Sequence, residues 1–298
     1  MNGRARFPFT RIMSGSLSGH RPPAAGTALL LALAAAFLIP FVSSSQGAQK
    51  AAYAGRYQSS DSCKLPAPPS RDILLDLATK CCAKPPGTSG SCKYISTADQ
   101  YVVVKDADPN KPWGFLIIPT FAVTGIEDTK HTDAAPVVDF WQHGWNEATK
   151  SFLKKQAKNT ALAINSKPGR DQDQLHIHLS CVLPSVASAL SAADKKIGTD
   201  PKKPFSMTLG THGNPYEVVK LTSLTGASSP FLLIKQFPGV SGSDMADQAI
   251  AIIGSSSSGT YYMAVTYYHK LPNGKTDPGQ AEELLEQGNA CANAGHHH

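Results

Sequence analysis

Residues 163–182 read AINSKPGRDQDQLHIHLSCV, and they set two histidines one residue apart inside an apolar alternation. In a strand successive side chains point to opposite faces. Leu175, Ile177 and Leu179 then share one face, and Gln174, His176, His178 and Ser180 share the other. The apolar set is expected to bury against helices. The imidazoles, amide and hydroxyl are left on a second surface, where such groups are costly unless they meet water or a ligand. Just upstream, Asn165 and Ser166 end a strand, the turn contains Pro168 and Gly169, and Arg170 and Gln172 lead into the histidines. A guanidinium forks onto phosphate oxygens and turn amides make an anion nest. A neutral imidazole, with an unperturbed pKa of about 6.5, attacks phosphorus without help from a base. Two other readings of H-x-H stand beside this one. The pair could be a half-exposed strand face, or two ligands of a Zn²⁺ ion. His131, His143, His212 and His269 are all candidate third ligands, but no local spacing selects one, so neither a metal nor a cofactor is expected.

The elements that position these residues follow from periodicity. SRDILLDLATKCC reads as a short helix with Ser70 as its N-cap, and QYVVVKD and WGFLIIPTF read as strands. Val137, Trp141, Trp145, Ala148 and Phe152 form one face of an amphipathic helix. TALAINS is the strand before the histidine strand. FSMTLG, YEVVKLT and PFLLIKQF are then expected as strands, SDMADQAIAIIG as a helix and TYYMAVTYYH as the last strand. An order of strand, helix, strand thus occurs twice, with GFLIIPT matched to PFLLIKQ and TALAINS to TYYMAVT. On that match the histidine strand is an addition found only in the first half.

Of the net charge of +6, four positive charges (Arg4, Arg6, Arg11 and Arg21) precede Lys50 with no acidic residue among them. The rest of the chain carries only +2, so no basic stripe marks a nucleic-acid-binding domain and no nucleic-acid partner is expected. Ala24 to Val42 is a run of 19 uncharged residues, long for a signal peptide and adequate for a bilayer span. With the arginines held inside, residues 1–48 are expected to be a cytoplasmic tail and membrane anchor or signal, 49–70 a linker, and 71–295 an exported domain. Six cysteines in an oxidising compartment imply disulfides. Cys82 with Cys92, Cys181 with Cys291 and Cys63 with Cys81 rank first among fifteen connectivities.

QLHIHLS resembles the histidine-triad motif, in which histidines alternate with apolar residues and the middle one attacks a nucleotide α-phosphate. LIIPTFAVTGIED, DFWQHGWNEA, LAINSKPGRDQDQLHIHLSCVLPSV and the cysteine pattern together resemble the bacterial CDP-diacylglycerol pyrophosphatases, a membrane-anchored branch of that superfamily. The likeness is best from Asp72 to Val186 and weaker to Cys291. It implies an α+β fold, with a histidine-triad-like antiparallel sheet and flanking helices, and a second half open to reading as a pseudo-duplicate. It also implies hydrolysis of CDP-diacylglycerol to CMP and phosphatidate through a cytidylyl-histidine, at an inner membrane with the domain in the periplasm, by a monomer or pseudo-dimer.

Carried over residue by residue, His176 is the nucleophile and His178 the third triad position. Asn165, Ser166, Gly169, Arg170 and Gln172 bind substrate. The first triad position is Gln174, a departure from the motif, since an amide donates a hydrogen bond but is no cationic acid. A histidine-triad hydrolase or transferase of a soluble nucleotide conjugate, and a non-catalytic exported nucleotide-binding module, are the alternatives.

Overall fold

The computed structural model describes residues 70–83, 90–153, 157–240, 242–270 and 276–285, with Leu65 and Cys291. The expected anchor, the linker up to residue 64 and Cys63 lie outside them. Among the described residues no helix is long and apolar enough to cross a membrane.

Nine strands form one antiparallel sheet: β1 Cys92–Ser96, β2 Tyr101–Lys105, β3 Phe115–Pro119, β4 Thr160–Ile164, β5 Ile177–Cys181, β6 Phe205–Leu209, β7 Asn214–Leu221, β8 Gln248–Gly254 and β9 Tyr261–Tyr267. Their order across the sheet is β1-β2-β3-β5-β4-β8-β9-β7-β6. Apart from β1, the order reads the same from either end, with β4 and β8 paired at the centre. β2, β3, β4 and β5 therefore correspond to β6, β7, β8 and β9. The counterpart of the histidine strand is β9, so the second half does contain that strand, contrary to the match drawn from periodicity.

Both halves bury helices on one face. Phe140, Trp141 and Trp145 from the first half, and Phe231 and Ile234 from the second, pack on Ile117, Leu162, Ile177, Leu179, Ile250, Ile252 and Met263. The expected stripe from Val137 is this buried face, which runs through a 3₁₀ turn, the α-helix Phe140–Asn146 and a π-helical turn Glu147–Phe152. On the other face two separate clusters form. Ile73, Leu74 and Leu77 cover Val102, Val104, Leu116 and Ile118. Val186, Leu190, Ala281, Leu284 and Leu285 cover Ala161, Ala163, Ala251 and Ala264.

Two assignments made from periodicity reverse. PFLLIKQF is a short helix, Pro230–Leu233, followed by a 3₁₀ turn; a short apolar run does not distinguish strand from helix, and Pro230 at the first turn presets the helix. QAIAIIG is the central strand β8 rather than part of a helix, because it is buried on both faces and so loses the period of two. Ser70 is not the N-cap of the first helix. Asp72 is, and the Ser70 hydroxyl accepts from the Asp72 N–H instead. β1 has no counterpart among the expected strands.

Cys82–Cys92 ties the end of that first helical segment to β1, with Cα atoms 5.7 Å apart. Cys181–Cys291 ties β5 to the C-terminal region at 5.5 Å. Cys81 is also disulfide-bonded, and its expected partner Cys63 is outside the described residues.

Candidate active site

β5 sits between β3 and β4 with His178 in register with Leu116 on one side and Ala163 on the other. Opposed residues in an antiparallel pair share a face. His178 therefore stands at the seam between the two apolar clusters of the second face. The ladder of β5 begins at Ile177, so Gln174 to His176 precede it. The alternation nevertheless holds: Leu175, Ile177 and Leu179 join the core, and the rings of His176 and His178 meet edge to face with centroids 5.0 Å apart.

His176 is 8% exposed, and its Nδ1 lies 2.7 Å from the Gln174 carbonyl oxygen. A carbonyl only accepts, so Nδ1 carries the hydrogen and Nε2 carries the lone pair. Burial, reinforced by the neighbouring His178, pushes the imidazole down to about 3. The ring is thus neutral near pH 7. Neutrality and tautomer together leave the Nε2 lone pair unprotonated, as a nucleophile requires.

His178 is held differently. Its Nε2 lies 2.9 Å from a Glu282 carboxylate oxygen, and its Nδ1 lies 3.9 Å from Asp106. The contact is close but off the line of a good hydrogen bond, and among the described residues Nε2 meets no better-aligned partner. Lys111 Nζ lies 3.4 Å from the same Glu282 oxygen and 3.9 Å from Asp106. Burial alone would raise Glu282, but His178 and Lys111 overcome it and hold the carboxyl well below the usual range. For Lys111, too, burial works against the charge, and Glu282 and Asp106 outweigh it to raise the ammonium. A pocket of about 250 Å³, open solvent included, is bounded by Lys111, Phe115, His178, Ser180 and Glu282.

The turn residues form a frame around this centre. Ser166 receives the Gly169 N–H and donates to the Pro278 carbonyl. A Cβ on Gly169 would come within 2.8 Å of the Gly279 carbonyl oxygen, so only glycine lets the C-terminal segment pack there. Asn165 Oδ1 accepts the Glu282 N–H at 3.1 Å. Arg170 is spent on Glu127 and on the Thr124 carbonyl, each at 2.9 Å. Gln172 binds the Leu74 N–H and the Ser70 carbonyl. Gln174 accepts from the Val123 N–H and donates to the carbonyls of Pro119 and Phe121. His176, His178 and Asn165 are therefore brought to the centre, while Ser166, Gly169, Arg170, Gln172 and Gln174 hold loops around it. Asp106, Lys111 and Glu282 escape sequence reading. They come from the loop between β2 and β3 and from a C-terminal 3₁₀ turn, Ala281–Leu284, and no local spacing links them to the histidines.

The fold and the site define an antiparallel α+β domain built around one neutral, tautomer-fixed imidazole beside a charged cluster. The chain belongs to the CDP-diacylglycerol pyrophosphatase family, whose family model matches residues 69–294. It is similar to a CDP-diacylglycerol pyrophosphatase from Yersinia pestis, with 32% identity over 202 residues that cover 65% of this chain and 74% of the relative. Among solved structures it is similar to yeast Ap4A phosphorylase Apa2, with 11% identity, a TM-score of 0.40, and coverage of 67% of this chain and 65% of that one. A DUF4931 family protein from Bacillus cereus aligns with 10% identity and a TM-score of 0.35, over 59% of this chain and 85% of that one.

Proposed function

We propose that this chain is a hydrolase that splits the diphosphate of CDP-diacylglycerol into CMP and phosphatidate, with His176 as the nucleophile. The family match supports the substrate. The observation that carries the role of His176 is its Nδ1–H bond to the Gln174 carbonyl, which leaves Nε2 unprotonated. In the first step the Nε2 lone pair bonds to the cytidine-side phosphorus. The bridging P–O bond breaks and its electrons leave with phosphatidate. In the second step a water oxygen bonds to phosphorus, the P–N electrons return to Nε2, and the water proton passes to a neighbouring base. Dividing one displacement into two is the usual gain of a covalent intermediate. The unpartnered Nε2–H of His178 is placed to donate to a phosphate oxygen.

The sheet is read here as the histidine-triad-like fold, with two halves in one chain. Residues 1–48 are read as a single membrane tether that keeps the domain on the periplasmic side of the inner membrane. A lipid-linked diphosphate then meets the enzyme in two dimensions, at raised effective concentration. Purified protein incubated with CDP-diacylglycerol is expected to release CMP and phosphatidate in equal amounts, and the His176→Ala variant neither. Undiminished CMP release by that variant would overturn the reading. Removing residues 1–48 should preserve turnover of detergent-solubilised substrate and slow it on vesicles; equal rates on both would overturn the tether.

A further inference from the structure

Resting on that reading, we infer that Lys111 and His178 together form the anion site that receives the substrate's diphosphate, and that the Glu282 carboxylate occupies this site until substrate displaces it. The first observation is a shortage of positive charge elsewhere. A diphosphate needs a cation, and the arginine that leads into the histidine strand in sequence, Arg170, is committed to Glu127 with a side chain only 2% exposed. Among the described residues lining the pocket at His178, Lys111 is the one lysine or arginine.

The second observation is that an anion already sits there. One oxygen of Glu282 lies 2.9 Å from His178 Nε2 and 3.4 Å from Lys111 Nζ, the arrangement a phosphate oxygen takes between an imidazole and an ammonium. The buried Nε2–H is nevertheless left without a linear acceptor. Such a donor costs stability unless something else satisfies it, and a tetrahedral phosphate offers oxygens in more directions than a carboxylate does.

The third observation concerns what is rigid. Lys105 Nζ donates to the carbonyls of Asp106, Lys111 and Gly114, which braces the loop that delivers Lys111. The backbone of Glu282 is fixed by Asn165, and its neighbours Ala281 and Leu284 are fully buried. Exchange therefore needs only rotation of the Glu282 side chain. That rotation also widens the pocket beside His178 and Lys111.

The test is calorimetric titration of the full chain in detergent with cytidine, CMP and CDP, in a His176→Asn background so that nothing turns over. Lys111→Met should weaken CDP by about tenfold to a hundredfold and leave cytidine unchanged, while Lys111→Arg stays within a few-fold. Glu282→Gln should tighten CDP several-fold, because the competing carboxylate is gone. Thermal melts establish that each variant is folded. CDP affinity unchanged in Lys111→Met, or weakened in Glu282→Gln, would overturn the inference. Should CMP release from CDP-diacylglycerol by protein with His176 intact be normal in that case, only the anion site falls. Absence of any release would instead bring down the functional reading itself.

Discussion

The two halves of the sheet use corresponding strands for different ends. β5 and β9 each lie inside their half, bonded to a central partner and an outer one. Each packs apolar side chains against the helical face, Ile177 and Leu179 in β5, Met263 and Val265 in β9. On the second face β5 presents His178 at the seam between two clusters, whereas β9 presents Tyr262 and Ala264 to one continuous cluster. No histidine stands on β9. The difference lies in the second face: both strands pack apolar side chains on the helical face, and the histidine stands where the other face is interrupted.

The contrast yields predictions of decreasing size. His176→Asn should reduce CMP release by about a thousandfold or more while leaving the melting temperature within a few degrees; a loss under tenfold would mean that β5 is no more catalytic than β9. Arg170→Met acts on the frame. It removes the buried partner of a part-buried pair and leaves Glu127 and the Thr124 carbonyl without it, which costs about 1–3 kcal/mol in urea unfolding, and Glu127→Gln on top should restore part of that. A variant as stable as the parent would remove Arg170 from the frame.

Acid should act on the same half. His176 titrates at about 3 when folded, against an ordinary 6.5, so between those limits the unfolded chain binds the extra proton. Stability is full above 6.5 and falls as pH drops toward 3. Glu282, held low in the folded state, adds to the loss once pH falls below the ordinary carboxylate range. Urea midpoints measured along this range should decline for the parent. His176→Asn should flatten the part above about pH 5, where ordinary carboxylates stay ionised, and an unchanged slope would contradict the buried neutral ring. The smallest effect belongs to β9. Met263→Leu keeps core volume and should cost less than about 1.5 kcal/mol with turnover per folded molecule intact.

What is legible in the sequence divides along similar lines. The alternation around His176 is readable because polar and apolar side chains alternate there although both faces are buried, and the helical stripe from Val137 to Phe152 because it buries one face. β8 misleads because burial on both faces erases that period, and PFLLIKQF because its short apolar run fits either structure. The second half's strand order is then misaligned, which hides the correspondence of β5 with β9. At the site, the residues contiguous with the histidines stand out, but Arg170, Gln172 and Gln174 brace loops. Their polar groups meet backbone and Glu127, contacts that local spacing does not encode. Lys111 and Glu282 reach the centre only through long-range packing, from positions 171 residues apart.

A brief reaction of the full chain with CDP-diacylglycerol, quenched in base to preserve phosphoramidate bonds and mapped by peptide mass, shows which side chain carries the nucleotide. A cytidylyl group on the peptide containing His176, absent from His176→Asn, is the predicted result. Rapid CMP release with that peptide unmodified at every time point, or a cytidylyl group on His178 instead, would contradict it.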